Sequence, residues 1–84
     1  MAYRITFKAS VSRDLKKLSK TEADRILLGI ASDLPEKADQ LTELKGRFAG
    51  LKKFRIGDCR VVFAIIGDSI LITRVGHRQE ISKH

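Results

Sequence analysis

Residues 51–82 read LKKFRIGDCRVVFAIIGDSILITRVGHRQEIS, and this stretch decides the fold expected for the chain. It contains three runs rich in β-branched and aromatic residues, which span Lys52 to Ile56, Arg60 to Ile66 and Ser69 to Val75. The pairs Gly57-Asp58 and Gly67-Asp68 separate the runs. Such pairs suit hairpin turns, because glycine accepts a positive φ and aspartate can bond to its own backbone. The stretch therefore predicts a three-stranded antiparallel meander.

Alternation along these strands predicts which side chains share a face of the sheet. Successive residues of a strand point to opposite sides, so Lys53 and Arg55 share one face of the first run. The central run is apolar on both faces beyond Arg60, which indicates cover by helices on one side and by a partner or another segment on the other. Lys53, Arg55 and Arg60 are expected to share one face at one end of the sheet, and that end is the candidate site.

The N-terminal half predicts a strand followed by a helical hairpin. Residues 2–8 alternate between apolar and polar side chains, and the face expected to be buried carries Tyr3, Ile5 and Phe7. From Ser10 the apolar residues recur at helical spacing, and Ser19 with Glu22 has the spacing of a capping box that begins a second helix. Pro35 is expected to end that helix. Its apolar stripe comprises Ala23, Ile26, Leu27, Ile30, Ala31 and Leu34. The hairpin can cover the apolar face of the sheet.

The charge balance is the most informative part of the composition. The chain has 84 residues, 43% of them hydrophobic, so residues 1–84 are expected to fold as a single domain. Its 17 lysines and arginines against 10 acidic residues give a net charge of +7 at pH 7. On so small a domain this excess favours nucleic acid, an anionic membrane surface or an acidic protein segment as the partner. The alternative is ordinary solvated surface charge.

Metal, disulfide and membrane signals are absent from the sequence. Cys59 is the single cysteine and is expected to pack as a small apolar residue, because no histidine stands at a spacing typical of a Cys-His pair. His77 and His84 have no ligands at the spacings of known metal sites, so neither a metal nor a cofactor is expected. The N-terminus lacks the apolar segment of a signal peptide, and no run is long enough to span a bilayer. These features predict a cytoplasmic protein without a membrane partner.

The sequence contains a concentration of basic residues and none of the familiar catalytic patterns. The sequence has no paired carboxylates, no Ser-His-Asp pattern and no phosphate-binding loop. Instead the meander carries Lys52, Lys53, Arg55, Arg60, Arg74, His77 and Arg78. Fixed cations suit a phosphodiester, because phosphoryl transfer builds negative charge on its oxygens. The residues by themselves predict nucleic-acid binding, and catalysis is a further hypothesis.

Three short motifs give the chain a family resemblance. They are Leu44-Lys45-Gly46, the segment RIGDCRVVF at residues 55–63, and RVGHR at residues 74–78. In this order and at this separation they resemble the RelE/ParE superfamily of toxins from type II toxin–antitoxin systems, over nearly the whole chain. The resemblance implies an α+β fold, in which an N-terminal strand, a two-helix hairpin and a three-stranded antiparallel meander form a microbial-ribonuclease-like sheet with helices on one face.

The resemblance also implies a function and partners. The RelE branch is a metal-independent endoribonuclease, an mRNA interferase that inhibits translation by cleaving messenger RNA on the ribosome, through attack of a ribose 2′-OH on the adjacent phosphate. The ParE branch inhibits DNA gyrase. The Gly-His-Arg ending at residues 76–78 resembles the RelE branch more closely. Both branches are neutralised by a cognate antitoxin, for which we expect an acidic segment that wraps the toxin and can connect it to operator DNA. A non-toxic module that binds DNA or antitoxin is the remaining alternative.

Site residues follow from the resemblance position by position. Arg60 and Arg78 would hold the scissile phosphate, while Lys53 and Arg55 would add charge stabilisation, one of them with a part in proton transfer. Apart from the resemblance, the basic residues themselves predict RNA contacts for Lys45, Arg47, Lys52 and Arg74, and the alternative for Lys45 and Arg47 is solvated loop charge.

One position departs from the RelE pattern. The RelE branch carries a tyrosine near the C-terminus that stacks on a base, and the matching position here is Ser82. Serine can neither stack on a base nor act easily as a base near neutral pH. His77 or His84 could supply a titrating group, and His77 is therefore included among the candidate catalytic residues. The alternative for His77 is that it orients Arg78 or bonds to a carbonyl.

Overall fold

The fold is α+β, with the predicted order of a strand, helices and three further strands. The computed structural model describes residues 3–41, 43–44, 46 and 50–77. Its elements are β1 (Arg4–Phe7), α1 (Ala9–Lys16), α2 (Lys20–Ser32), α3 (Leu34–Lys37), a 3-10 helix (Ala38–Gln40), β2 (Lys52–Ile56), β3 (Cys59–Ile66) and β4 (Ser69–His77). The strands form one sheet in the order β1-β4-β3-β2. The three C-terminal strands are antiparallel, as predicted, and β1 runs parallel to β4.

Two tight turns connect the meander. Gly57 and Gly67 have φ values of 58° and 61°, and each is followed by an aspartate that completes a two-residue loop. No non-glycine residue in the described parts of the chain has a positive φ, so Asp58 and Asp68 do not adopt the left-handed conformation. Glycine at the first turn position alone fits a type II′ hairpin, which matches the right-handed twist of the strands.

The core lies between the helices and one face of the sheet. Its central side chains are Ile26, Ile30, Leu34, Val61, Phe63, Ile70 and Ile72, each nearly inaccessible to solvent. Because side chains alternate along a strand, the same three C-terminal strands present a second face that points away from the helices. That second face includes the candidate site.

Helix α2 begins at the predicted capping box, but it ends before the residue that was expected to stop it. The Ser19 hydroxyl accepts from the backbone N–H of Glu22 at 3.2 Å, and the Glu22 carboxylate accepts from the backbone N–H of Ser19 at 3.5 Å. The expectation that Pro35 ends α2 is wrong, because α2 already ends at Ser32 and Pro35 lies in the first turn of α3. Proline is tolerated there because the first backbone N–H groups of a helix need no partner within it.

Three side chains expected to be buried are exposed. Phe7 and Leu27 retain 48% and 39% of their accessible surface. They line an apolar groove of about 380 Å³ together with Val11 and Leu15 of α1. Ala31, also expected on the buried stripe, is exposed as well. In the described part of the chain, β1 is the edge strand of the sheet, and no further strand lies beyond Phe7.

Helix α1 packs beside the C-terminal part of β4, which β1 is too short to pair with. β1 pairs only with Ser69 to Ile72, and β4 then bulges at Thr73, whose hydroxyl donates to the carbonyl of Val62 at 3.0 Å. Beyond the bulge, the Asp14 carboxylate accepts from the backbone N–H of Val75 at 3.0 Å. A side chain of α1 thus replaces the missing neighbour strand and fixes the end of β4.

Within the described residues, no helix has both the length and the apolar character needed to cross a membrane.

Candidate functional site

Three basic side chains share the sheet face that points away from the helices. Arg55 of β2 and Arg60 of β3 are directly opposite each other, and Lys53 is opposite Val62. The intervening Phe54 is buried in the core, so the alternation places Lys53 and Arg55 on the other face. The register therefore confirms that Lys53, Arg55 and Arg60 share a face. We call these three residues the basic face.

The basic face concentrates positive charge on two neighbouring strands. Like charges directly opposite on neighbouring strands destabilise a sheet by a few tenths of a kcal/mol to about 1 kcal/mol. The four described strands contain no aspartate or glutamate. The Arg55 Nε donates to the carbonyl of Gly57 at 3.3 Å, and Arg60 is half-buried with its Nε shielded from solvent. The arrangement presents positive charge to an anion.

Two residues predicted to contact RNA have structural partners within the protein. The Lys52 ammonium donates to the carbonyl of Ala38 at 3.0 Å, on the helix side of the sheet. Arg74 lies opposite Val62, and its guanidinium donates to the Asp14 carboxylate at 2.9 Å and 3.3 Å. Because Asp14 is buried, Arg74 helps to hold α1 against β4.

His77 lies on the helix side of the sheet, away from the basic face. It pairs in register with Cys59, and its Nε2 is 3.3 Å from the Glu22 Oε2 of α2. The Cys59 thiol is 4.0 Å from the same oxygen. Burial raises the pKa of Cys59, and the nearby Glu22 and Asp58 carboxylates raise it further. The fold thus brings His77 close to Cys59 and Glu22, a proximity that the sequence spacing of these residues did not indicate.

Asp14 is the structural residue that the sequence interpretation missed. It is the buried charged side chain of α1, and it bonds both Arg74 and the backbone of β4. A signal was available, because Asp14 lies three residues after Val11 and four before Leu18 on the apolar stripe of α1. The other predicted site positions, which are Lys45, Arg47, Arg78, Ser82 and His84, lie outside the described residues.

Solved structures of toxins resemble this fold closely. The toxin–antitoxin complex RelBE2 from Mycobacterium tuberculosis contains a chain that is 26% identical, with a TM-score of 0.86, over 93% of this chain and 100% of that one. A double arginine-to-alanine mutant of the E. coli toxin RelE is 18% identical, with a TM-score of 0.76, over 98% and 90%. The chromosomal ParDE system from P. aeruginosa provides a chain that is 13% identical, with a TM-score of 0.74, over 90% and 96%.

A sequence model of a protein family also matches the chain, so the assignment does not depend on the fold alone. The model described as the ParE toxin of the type II toxin–antitoxin system parDE matches residues 5–82. Among curated proteins, none gives a significant match. Because the family match covers almost the entire sequence, the chain belongs to the RelE/ParE family and is the toxin of a type II toxin–antitoxin module.

Proposed function

We propose that this toxin is a ribosome-dependent endoribonuclease that cleaves messenger RNA and so inhibits translation. The observation that carries the proposal is the direct opposition of Arg55 and Arg60, with Lys53 on the same face. A bound phosphodiester would accept charge-assisted hydrogen bonds from these cations. Phosphoryl transfer also needs fixed positive charge where negative charge develops.

The proposed reaction is an in-line displacement at phosphorus. The ribose 2′-oxygen forms a bond to the adjacent phosphorus, and the bond from phosphorus to the 5′-oxygen breaks. Arg60 and Arg78 hold the phosphate and stabilise the developing charge, while Lys53 and Arg55 contribute charge and one of them takes part in proton transfer. The ribosome supplies the orientation of the message, which compensates for the weak acid–base set of the toxin.

His77 has a different place in this proposal from the four basic residues. Its contact with Glu22 lies on the helix side of the sheet, whereas the phosphate is proposed to lie on the basic face. We therefore assign proton transfer first to Lys53 or Arg55. His77 would act in catalysis only if its side chain left Glu22.

The reaction is tested by primer extension on a defined message bound to translating ribosomes. We expect wild-type protein to produce cuts confined to the codon in the A site, and Arg78→Ala protein to produce none. The reason is that Arg78→Ala removes a cation proposed to contact the scissile phosphate. Arg13→Ala, which removes the same charge from the exposed side of α1, serves as the control and should cut like the wild type. Wild-type cutting by folded Arg78→Ala protein would count directly against the assignment.

The proposed protein partner is a cognate antitoxin with an acidic segment. RelBE2 from M. tuberculosis, at 26% identity, is a toxin–antitoxin complex, which supports an antitoxin for this chain. The net charge of +7 and the basic face favour an acidic segment that lies over Lys53, Arg55, Arg60 and Arg78. Contact with operator DNA would then go through the antitoxin.

Association with this antitoxin should depend steeply on salt. We expect the association rate constant to fall by about tenfold or more between low and high ionic strength, because salt screens the attraction that steers the encounter. Stopped-flow mixing of toxin and antitoxin at increasing salt measures the slope. The variant Lys53→Ala/Arg55→Ala should give a flatter slope than Lys16→Ala/Lys17→Ala, which removes two exposed charges at the C-terminal end of α1. Equal slopes for the two variants, or no slope for the wild type, would contradict the proposed binding face.

A gyrase inhibitor is the second candidate. The family model carries the ParE description over residues 5–82, and the ParDE chain from P. aeruginosa has the same fold. The serine at position 82, where the RelE branch has a tyrosine, also favours it. Purified toxin would then inhibit supercoiling by gyrase and induce DNA damage in cells, while ribosome-bound messages stay intact. A non-toxic DNA-binding or antitoxin-binding module would leave growth unaffected when expressed alone.

A further inference from the structure

Three potential metal ligands converge on the helix side of the sheet, opposite the basic face. Glu22 comes from α2, Cys59 from the start of β3 and His77 from the end of β4. Each offers one ligand atom, and these atoms all lie within 4.8 Å of one another. Because the three residues come from three separate elements, no short sequence spacing could have indicated the cluster.

Two distances measured from the Glu22 carboxylate are close to those in the ligand shell of zinc. Zinc binds histidine nitrogen and carboxylate oxygen at about 2.0–2.2 Å and cysteine sulfur at about 2.3 Å, in tetrahedral geometry. That geometry places a nitrogen and an oxygen ligand about 3.3 Å apart, and a sulfur and an oxygen ligand about 3.6 Å apart. The corresponding distances here are 3.3 Å from His77 Nε2 to Glu22 Oε2 and 4.0 Å from Cys59 Sγ to Glu22 Oε2. The Glu22–His77 separation already suits two zinc ligands, and the Cys59 sulfur would need to approach the Glu22 oxygen by about 0.4 Å.

The Glu22 carboxylate is already oriented for this role. Its Oε1 accepts from the backbone N–H and the hydroxyl of Ser19, at 3.5 Å and 3.3 Å, in the capping box of α2. This leaves Oε2 directed at Cys59 and His77. Hydrogen bonds of this kind fix a ligand before the ion arrives, which strengthens binding in known metal sites.

Burial and charge favour one ion with an accessible fourth position. Cys59 is buried, whereas the side chains of His77 and Glu22 are 44% and 35% exposed, so the open side of the cluster reaches solvent. A thiolate and a carboxylate together carry two negative charges, which a divalent cation neutralises. Asp58 adds negative charge beside the thiol, and Arg25 of α2 opposes it. A mixed set of sulfur, nitrogen and oxygen ligands suits zinc better than magnesium or calcium, which prefer oxygen alone.

We propose that Glu22, Cys59 and His77 form a zinc site in which water or an external ligand completes the tetrahedron. The ion ties α2 to the adjoining ends of β3 and β4. Arg60 follows Cys59 directly on β3 and belongs to the basic face, so the ion braces that end of the sheet from its other side. The site is independent of whether the toxin cleaves messenger RNA or inhibits gyrase.

Metal titration of the reduced, metal-free protein tests the site directly. We expect one equivalent of Zn²⁺ to bind and to raise the thermal unfolding midpoint, and one equivalent of Co²⁺ to give a thiolate-to-cobalt charge-transfer band. Glu22→Gln, Cys59→Ala and His77→Gln should each weaken zinc binding by about tenfold or more. Glu22→Gln is the most informative variant, because glutamine also completes a capping box and leaves α2 capped. Glu36→Gln removes an exposed acid of α3 and should bind zinc like the wild type.

The outcomes that would overturn the proposal are equally specific. They are no saturable zinc binding at micromolar concentrations, cobalt binding without the charge-transfer band, or wild-type affinity in both Glu22→Gln and His77→Gln. If Cys59→Ala fails to fold because the residue is buried, the other two variants and the cobalt spectrum of the wild type still decide the question. Each readout measures metal binding or unfolding, so loss of toxicity plays no part in it.

Discussion

Arg60→Ala is expected to reduce messenger RNA cleavage on the ribosome by about 100- to 1,000-fold, which is the effect of removing one fixed group that stabilises transition-state charge. Arg60 is half-buried beside Gly76, opposite Arg55, so its guanidinium is held by the sheet rather than by a loop. A held cation requires little reorganisation when charge develops on the phosphate oxygens. The rate of A-site cutting, measured with ribosomes in excess over message, gives the effect.

Two variants separate the charge of Arg60 from its shape. Arg60→Lys keeps the charge but loses the planar pair of donors, so it should recover only part of the rate. Arg13→Ala removes an arginine from the exposed side of α1 and should leave the rate unchanged. Circular dichroism and thermal unfolding show whether each protein is folded. A folded Arg60→Ala protein that cuts at the wild-type rate would exclude Arg60 from the site.

The meander could be predicted because its signals are local. Gly57 and Gly67 mark turns wherever they stand between β-formers, and both adopt the positive φ that the turns require. Once the turns are fixed, side-chain alternation follows from strand geometry. This is why Lys53, Arg55 and Arg60 could be assigned to one face before their pairing was known.

The errors arose where tertiary structure overrides a local pattern. Phe7 and Leu27 have the spacing of core residues, but the groove beside β1 leaves both exposed. The bulge at Thr73 shifts the alternation along β4, and nothing in the run Ser69 to Val75 distinguishes it from a regular strand. Pro35 was read as a helix end, although the same residue is equally compatible with a helix start.

The candidate site was predictable only in part, for the same reason. The identity of a basic residue does not reveal what its side chain contacts. Lys52 bonds the carbonyl of Ala38, and Arg74 bonds the carboxylate of Asp14. His77 joins residues from two other elements, and that encounter depends on how α2 packs on the sheet. Sequence patterns specify faces of elements, whereas contacts between elements need the assembled fold.

Asp14→Ala is expected to lower the free energy of unfolding by about 2–3 kcal/mol, the largest stability effect we predict for a single side chain of this protein. The substitution leaves the backbone N–H of Val75 buried without its acceptor, which costs about 1–3 kcal/mol. It also removes the partner of Arg74, whose contribution is smaller because that side chain is 54% exposed. For a domain of this size the unfolding midpoint should fall by roughly 10–20 °C. Thermal and urea unfolding measure both quantities.

Matched variants identify which of the two bonds matters more. Asp14→Asn keeps an oxygen for the Val75 N–H, so it should lose less stability than Asp14→Ala. Arg74→Ala keeps the bond between the Asp14 carboxylate and the Val75 N–H, so it too should lose less stability than Asp14→Ala if the backbone bond dominates. Asp24→Ala removes an exposed acid from α2 and provides the control. An Asp14→Ala protein as stable as this control would mean that the Asp14 carboxylate does not hold the end of β4, despite its bonds to Arg74 and to the Val75 N–H.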